Sequence, residues 1–376
     1  MVFYSLITAL TIALGTVVVS NPARQEGWLT RQQALNGICL TGIFLVLAGV
    51  SALRIEVGND YGKYVDIFHE IYAGTDAAYV VTEPGFNFVV KAVYAMSGFE
   101  NYLLVFALFG AATAFVFLKA MYEQSADFKW SFAMFMLLGI YFRTFTTVRY
   151  YFVLALTLYS LKYVRKKEYG KFVLLILFAA LFHKSVLVVI PLYLLANLHW
   201  KKWMVVLGAV LSAGVFAFQQ PILSIALKLY PTFQNTVYLT QDIGLLANAP
   251  GILRCLLVFA AAAVCWRESA AGNEKNRFYL KLSVFGFLLY TCASFLPLVS
   301  RLAYYLVTPQ ILLLPGLYEG LEKGRKKKFV LFITGLFCLG YFVWFLKTAS
   351  GSGIRVLPYK TWIFTKKEWI NGSDFF

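Results

Sequence analysis

The 376-residue chain is 60% hydrophobic and only 14% charged, with a mean hydropathy of +0.70. That composition excludes a soluble globular domain and leaves an all-α polytopic membrane protein. The net charge of +16 does not argue for nucleic acid as a partner, because the excess sits in short loops such as Arg165-Lys166-Lys167, Lys201-Lys202 and Arg325-Lys326-Lys327-Lys328. Basic residues there read as topology signals and as contacts for anionic headgroups of the lipid bilayer.

Apolar runs predict spans near 2–19, 36–53, 102–119, 130–143, 150–164, 172–183, 185–198, 203–219, 251–266, 279–296, 302–319 and 329–346, about twelve transmembrane helices in all. The first has no basic n-region and no small-residue cleavage site, so it reads as a retained span. Segment 172–198 is ambiguous: one long helix, or two short ones around Phe182-His183-Lys184-Ser185. Two crossings place every basic cluster on one face, which the positive-inside bias favours, and put both termini and His183 outside. Residues 1–346 then form a single transmembrane domain with external loops at 54–101 and 220–250, and residues 347–376 form a C-terminal tail on the outer face. Within the first loop, Phe86–Met96 reads as an amphipathic helix at the interface.

Cys39, Cys255, Cys265, Cys292 and Cys338 all lie in apolar stretches, without CxxC pairs or matched histidines. Neither a disulfide nor a metal site is indicated, and no cofactor is called for. Walker, HExxH and GxSxG motifs are missing, as is a DxD pair beside a span, which argues against ATP-driven transport, zinc peptidase chemistry and nucleotide-sugar transfer.

A second set of basic residues is not needed for topology. Arg54, Arg143, Arg149, His183, Arg254 and Arg301 fall at the opposite helix mouths, among tyrosine, threonine and serine. Charge held where it is costly is a functional-site hypothesis, weighed against plain snorkelling to headgroups. Arg149 and Arg301 each open a helix, where exposed N–H groups and the positive dipole end favour an anion. Guanidinium also matches phosphate oxygens in a fork that lysine lacks. Together these arginines suggest a pyrophosphate-like ligand. Histidine as a residue type ionises near neutral pH, so His183 suits a proton acceptor, although a lone histidine between apolar runs is as readily a packing residue. Among the outer carboxylates, Glu83 stands out in the rigid turn Glu83-Pro84-Gly85-Phe86, and Asp60 for its neighbours Tyr61 and Tyr64.

The order Asn59-Asp60-Tyr61…Tyr64, Glu83-Pro84-Gly85-Phe86, Arg149-Tyr150-Tyr151, Phe182-His183-Lys184-Ser185, Arg301-Leu302-Ala303-Tyr304-Tyr305 and Leu357-Pro358-Tyr359 resembles the EpsG family of Wzy-like exopolysaccharide and O-antigen polymerases. The resemblance implies a GT-C-like bundle with an outer-face crevice, in the plasma (inner) membrane of a bacterium. It implies a glycosyltransferase that moves a glycan from undecaprenyl diphosphate onto the next undecaprenyl-diphosphate-linked oligosaccharide, with a chain-length regulator as a further partner. On that reading the diphosphate meets Arg149, Arg301, Arg143, Arg54 and Arg254. The acceptor base comes from His183, Glu83 or Asp60, and Tyr61, Tyr150, Tyr304 and Tyr305 contact sugar. The step would be inverting and metal-independent, because arginines in a partly dry crevice suffice to stabilise a diphosphate leaving group. A flippase or other transporter of lipid-linked oligosaccharide would use such arginines too, as would another lipid-linked-sugar glycosyltransferase or ligase.

Overall fold

A computed structural model describes residues 1–20, 30–74, 82–229, 244–297, 299–351 and 353–364. Among these the chain is helical, with no strand and one isolated bridge between Arg54 and Thr361. The first helices are α1 (Val2–Val17), α2 (Arg31–Ala52), α3 (Tyr61–Ala73), α4 (Pro84–Ser97), α5 (Tyr102–Gln124), α6 (Phe128–Leu137), α7 (Ile140–Arg143), α8 (Val148–Arg165) and α9 (Tyr169–Ala180). They are followed by α10 (Val189–Asn197), α11 (Lys202–Ala217), α12 (Gln219–Leu229), α13 (Leu245–Val264), α14 (Glu274–Cys292), α15 (Val299–Val307), α16 (Gln310–Glu319) and α17 (Arg325–Thr348).

Helix covers each predicted span, but not always unbroken. Four helices (α2, α5, α13 and α17) are long and apolar enough to cross a membrane, and α11 with α12 makes a fifth candidate bent by 79°. The remaining stretches are shorter, broken or more polar. The ambiguous segment breaks where the sequence hints: α9 stops at Ala180, and a 3₁₀ turn over Lys184–Val188 leads into α10. Most of the predicted external loop 220–250 lies outside the described residues, as do positions 365–376 of the tail.

The chain forms two compact units, one of Met1–Tyr159, Phe178–Lys184 and Lys328–Phe376, the other of Ser160–Leu177 and Ser185–Lys327. In the first, the start of α8 is enclosed: Tyr150 to Leu158 are all buried, as expected of a helix apolar on every side. Loop 54–101 is largely helical. In α3, Tyr61, Tyr64, Phe68 and Ile71 share one buried face, and Gly74 closes the helix in the left-handed conformation (φ 68°). The expected helix over Phe86–Met96 is α4, which buries Phe86, Val90, Val93 and Tyr94 and exposes Phe88 and Met96.

A strap, residues 353–362, lies along residues 53–59. Ile55 N donates to Lys360 O (3.1 Å), Gly58 N to Arg355 O (2.9 Å) and Asn59 N to Ile354 O (3.0 Å). It also completes the end of α2, whose last carbonyls have no partner within the helix. Tyr359 Oη donates to Val50 O (3.0 Å), Arg54 Nη1 to Ser51 O (3.0 Å) and Trp362 Nε1 to Ala52 O (3.3 Å). From the other side, Tyr4 Oη of α1 donates to Val356 O at 2.6 Å.

In the second unit, the predicted span 302–319 is broken at Thr308-Pro309 into α15 and α16. Proline has no N–H to give the carbonyl four residues back, so Tyr305 O loses its helical partner. Tyr193 Oη of α10 donates to it instead, at 2.8 Å. Ile311 N bonds Thr308 O, not Val307 O, and Arg254 Nη2 takes up the released Val307 O at 3.0 Å. Two side chains thus repair a break that would otherwise strand polar groups among apolar ones.

Candidate active site

In the first unit, two motifs far apart in sequence meet. Gly85 N and Phe86 N both donate to Leu181 O (2.9 and 3.3 Å). Gly85 permits this approach, because a Cβ there would sit 2.8 Å from Leu181 Cβ and 2.9 Å from Leu181 O. Glu83 begins α4 yet does not cap it. Its Oε2 accepts from Arg149 Nη1 at 2.5 Å, and its Oε1 from Lys184 N at 3.1 Å. A residue that leaves its own helix end uncapped and reaches to distant partners breaks a local rule for a tertiary reason.

Arg149 stands in the first turn of α8 and is 8% exposed. Its guanidinium carbon lies 5.2 Å from the Phe86 ring centre, and the buried Tyr64 phenol hydrogen-bonds to it. Its Nε has no hydrogen-bond partner among the described residues. The cation is therefore oriented from three sides, and Glu83 compensates its charge. Burial pushes the Tyr64 phenol above its usual range, with Arg149 acting against that shift, so Tyr64 is a neutral hydroxyl at physiological pH.

His183 follows directly on this contact. Phe182 is set among Phe152, Phe178 and Phe109, with ring centres 5.1, 5.3 and 6.1 Å away. It anchors the segment, and the half-buried His183 ring meets Tyr150 edge-on at 5.7 Å. Asp60 precedes α3, and its Oδ2 accepts from Thr147 Oγ1 (3.0 Å), which ties α3 to the turn before α8. Arg149, Glu83, His183, Tyr150, Asp60 and Tyr64 thus belong to one unit and are joined by contacts through Phe86, Leu181 and Thr147. Tyr61 stacks on Phe106 with ring centres 4.4 Å apart, and burial raises its phenol too.

The other arginines sit differently. Arg54 is 1% exposed; Nη1 bonds Ser51 O and Ser51 Oγ, while Nε and Nη2 have no hydrogen-bond partner among the described residues. Its guanidinium packs against the rings of Phe145 (4.8 Å) and Phe106 (5.3 Å). Burial pulls its pKa down, and the phenols of Tyr61, Tyr141, Tyr4 and Tyr359 oppose that. Arg143 reaches Tyr341 Oη at 3.4 Å and lies over Phe345.

In the second unit, Arg254 is 8% exposed and spent on Gln310 Oε1 (2.7 Å) and Val307 O, with Tyr304 beneath it at 5.9 Å. Arg301 is half-buried in the first turn of α15. Tyr305 is fully buried, and its hydroxyl meets Ser185 Oγ at 3.1 Å.

Sequence reasoning did not find Tyr64 as a partner of Arg149, or Phe86 as its apolar floor. The period of the buried residues of α3 carried a signal for the first; nothing local signalled the second. It also missed a pocket of about 250 Å³ lined by Glu56, Asn59, Tyr61, Asp66, Tyr102 and Arg355, among others.

No curated protein and no solved structure matches the chain. The model of the EpsG family matches residues 37–361, from the first turns of α2 to the strap. The chain therefore belongs to the EpsG family, the family of Wzy-like polymerases.

Proposed function

We propose that the protein is a polysaccharide polymerase acting on undecaprenyl-diphosphate-linked repeat units at the outer face of a bacterial plasma membrane. The reading includes the twelve-crossing topology and a GT-C-like crevice. The supporting observation is the buried Arg149–Glu83 pair, locked to the segment that carries His183, in a chain of this family.

In the proposed step, a hydroxyl oxygen on the terminal sugar of one lipid-linked unit attacks the anomeric carbon of the growing chain. The bond from that carbon to the diphosphate oxygen breaks, and its electron pair stays on the diphosphate. The hydroxyl proton passes to a ring nitrogen of His183. One displacement inverts the anomeric carbon. Arg149, aimed by Glu83 and Tyr64, supplies oriented donors to the leaving group without reorganising at the moment of reaction. Glu83 is a positioning residue here, because both its oxygens are engaged, and Asp60 orients sugar. No metal ion is required in this scheme.

The test uses purified protein in nanodiscs with a lipid-diphosphate-linked repeat unit, and reads a ladder on a gel with and without chelator. The expected result is a chelator-insensitive ladder in wild type that is lost in Arg149→Ala and His183→Ala while both variants stay folded. Transbilayer movement of the lipid in proteoliposomes without any ladder would overturn the reading in favour of a transporter.

A further inference from the structure

The pocket beneath the strap is separate from the Arg149–Glu83 pair, and the proposed step leaves it unused. Its wall on one side is the first turn of α3; on the other are residues 55–59 and Arg355 of the strap. At its edge are two non-glycine residues in the left-handed region, Glu56 (φ 54°) and Arg355 (φ 47°). Such backbone is uncommon and persists where the surrounding structure imposes it. Between them Gly58 (φ 109°) is obligatory, since a Cβ there would overlap Phe145 O. The chain accepts a costly backbone course on both sides of one small pocket.

The lining is also unsatisfied. Tyr61 is 5% exposed, and its hydroxyl has no hydrogen-bond partner among the described residues; nor does Asn59 Oδ1. Buried polar atoms normally find a partner, so an unmatched donor and an unmatched acceptor, both enclosed, belong to residues that line one pocket. Around them are the carboxylates of Glu56 and Asp66, the guanidinium of Arg355, and the tyrosine rings of Tyr61 (backed by Phe106) and Tyr102.

That mixture selects a ligand class. The two carboxylates are balanced by Arg355 and by Lys360, which pairs with Glu56, so the rim holds no surplus cation for a phosphate or a uronate. A molecule carrying many hydroxyls, each able to donate and accept, matches acceptors and donors set side by side. Aromatic walls suit the apolar C–H face of a pyranose. The volume, about 250 Å³, admits a sugar ring. We infer that this pocket is a binding site for a single neutral sugar residue of the lipid-linked acceptor, held by Tyr61, Asn59 and the carboxylates beneath the strap. The acceptor role rests on the polymerase reading; the sugar site does not. Helix α3 links the two places, because Tyr61 lines the pocket and Tyr64, one turn on, touches Arg149.

The experiment is saturation-transfer NMR on the full-length protein in nanodiscs. The probe is the mixture of monosaccharides released by acid from the host's own polysaccharide. The site predicts signal transfer to a neutral sugar and none to uronic acids. Binding should weaken about three- to tenfold in Tyr61→Phe and in Asn59→Ala, the effect of one lost hydrogen bond, with thermal stability unchanged. No transfer to any neutral sugar would overturn the assignment, and so would equal transfer in both variants or equal transfer to uronates. The polymerisation ladder is read on the same samples. A ladder without sugar transfer leaves the polymerase and removes the pocket; transfer without a ladder leaves the pocket and removes the polymerase.

Discussion

Arg149 and Arg254 make an instructive pair. Both are 8% exposed, both are helical, and both were marked by sequence as anion ligands. Arg254 gives Nε to Gln310 and Nη2 to the carbonyl of Val307, freed at the Pro309 break. Arg149 is held by a carboxylate and a phenol, keeps an Nε with no partner among the described residues, and is bonded through Glu83 to the segment ending in His183-Lys184. A buried guanidinium is evidence for a site only after its hydrogen bonds have been traced. At Arg254 they close on broken backbone; at Arg149 they close on an acid that ignores its own helix and join distant segments.

The comparison is broken or sharpened by separating activity from folding. His183→Ala should lower polymerisation by about 10²–10⁴, the span of a general base, with an unchanged melting curve in detergent; wild-type ladders would remove His183 from the site. Arg149→Met should lose activity and also about 3–5 kcal/mol of stability, because Glu83 is left charged and unpaired. The double variant Arg149→Met, Glu83→Gln should recover most of the stability and none of the activity. Recovery of both would make the pair a structural strut like Arg254.

Arg254→Met should cost about 1–3 kcal/mol by stranding Val307 O and Gln310, measured as a lower melting temperature. Per folded molecule, polymerisation should be unchanged; a selective loss of activity would place Arg254 with the chemistry after all. The smallest effect is expected from Tyr193→Phe, which removes one hydrogen bond to Tyr305 O and should cost about 0.5–1.5 kcal/mol.

Much of this was legible beforehand for a definite reason. The membrane class, a helix over Phe86–Met96 and a break near Phe182–Ser185 follow from local composition and pattern; the structure has the helix at Pro84–Ser97 and the break at 181–183. The meeting of Glu83 with Arg149 was not legible, since it depends on Gly85 docking against Leu181, a contact nearly a hundred residues away in sequence. Helix α3 falls inside the external loop that the sequence predicts, although Tyr61, Tyr64, Phe68 and Ile71 have a helical period. Tyr305, a sugar contact by sequence, is fully buried with its hydroxyl on Ser185 Oγ. The pocket escaped because Glu56 and Arg355 become neighbours only through the strap. Pattern reports elements; the pairing of elements is a non-local fact.

The strap also bears on the biogenesis of the protein. Tyr4 bonds Val356 across 352 residues of chain, and Ile55 and Asn59 wait for Lys360 and Ile354. While the ribosome is still making α17, the end of α2 and the rim of the pocket lack their partners. These hydrogen bonds can form only once residues 354–362 have been made. In a nascent or prematurely stopped chain, the end of α2 and residues 55–59 stay without the hydrogen bonds that the strap gives them.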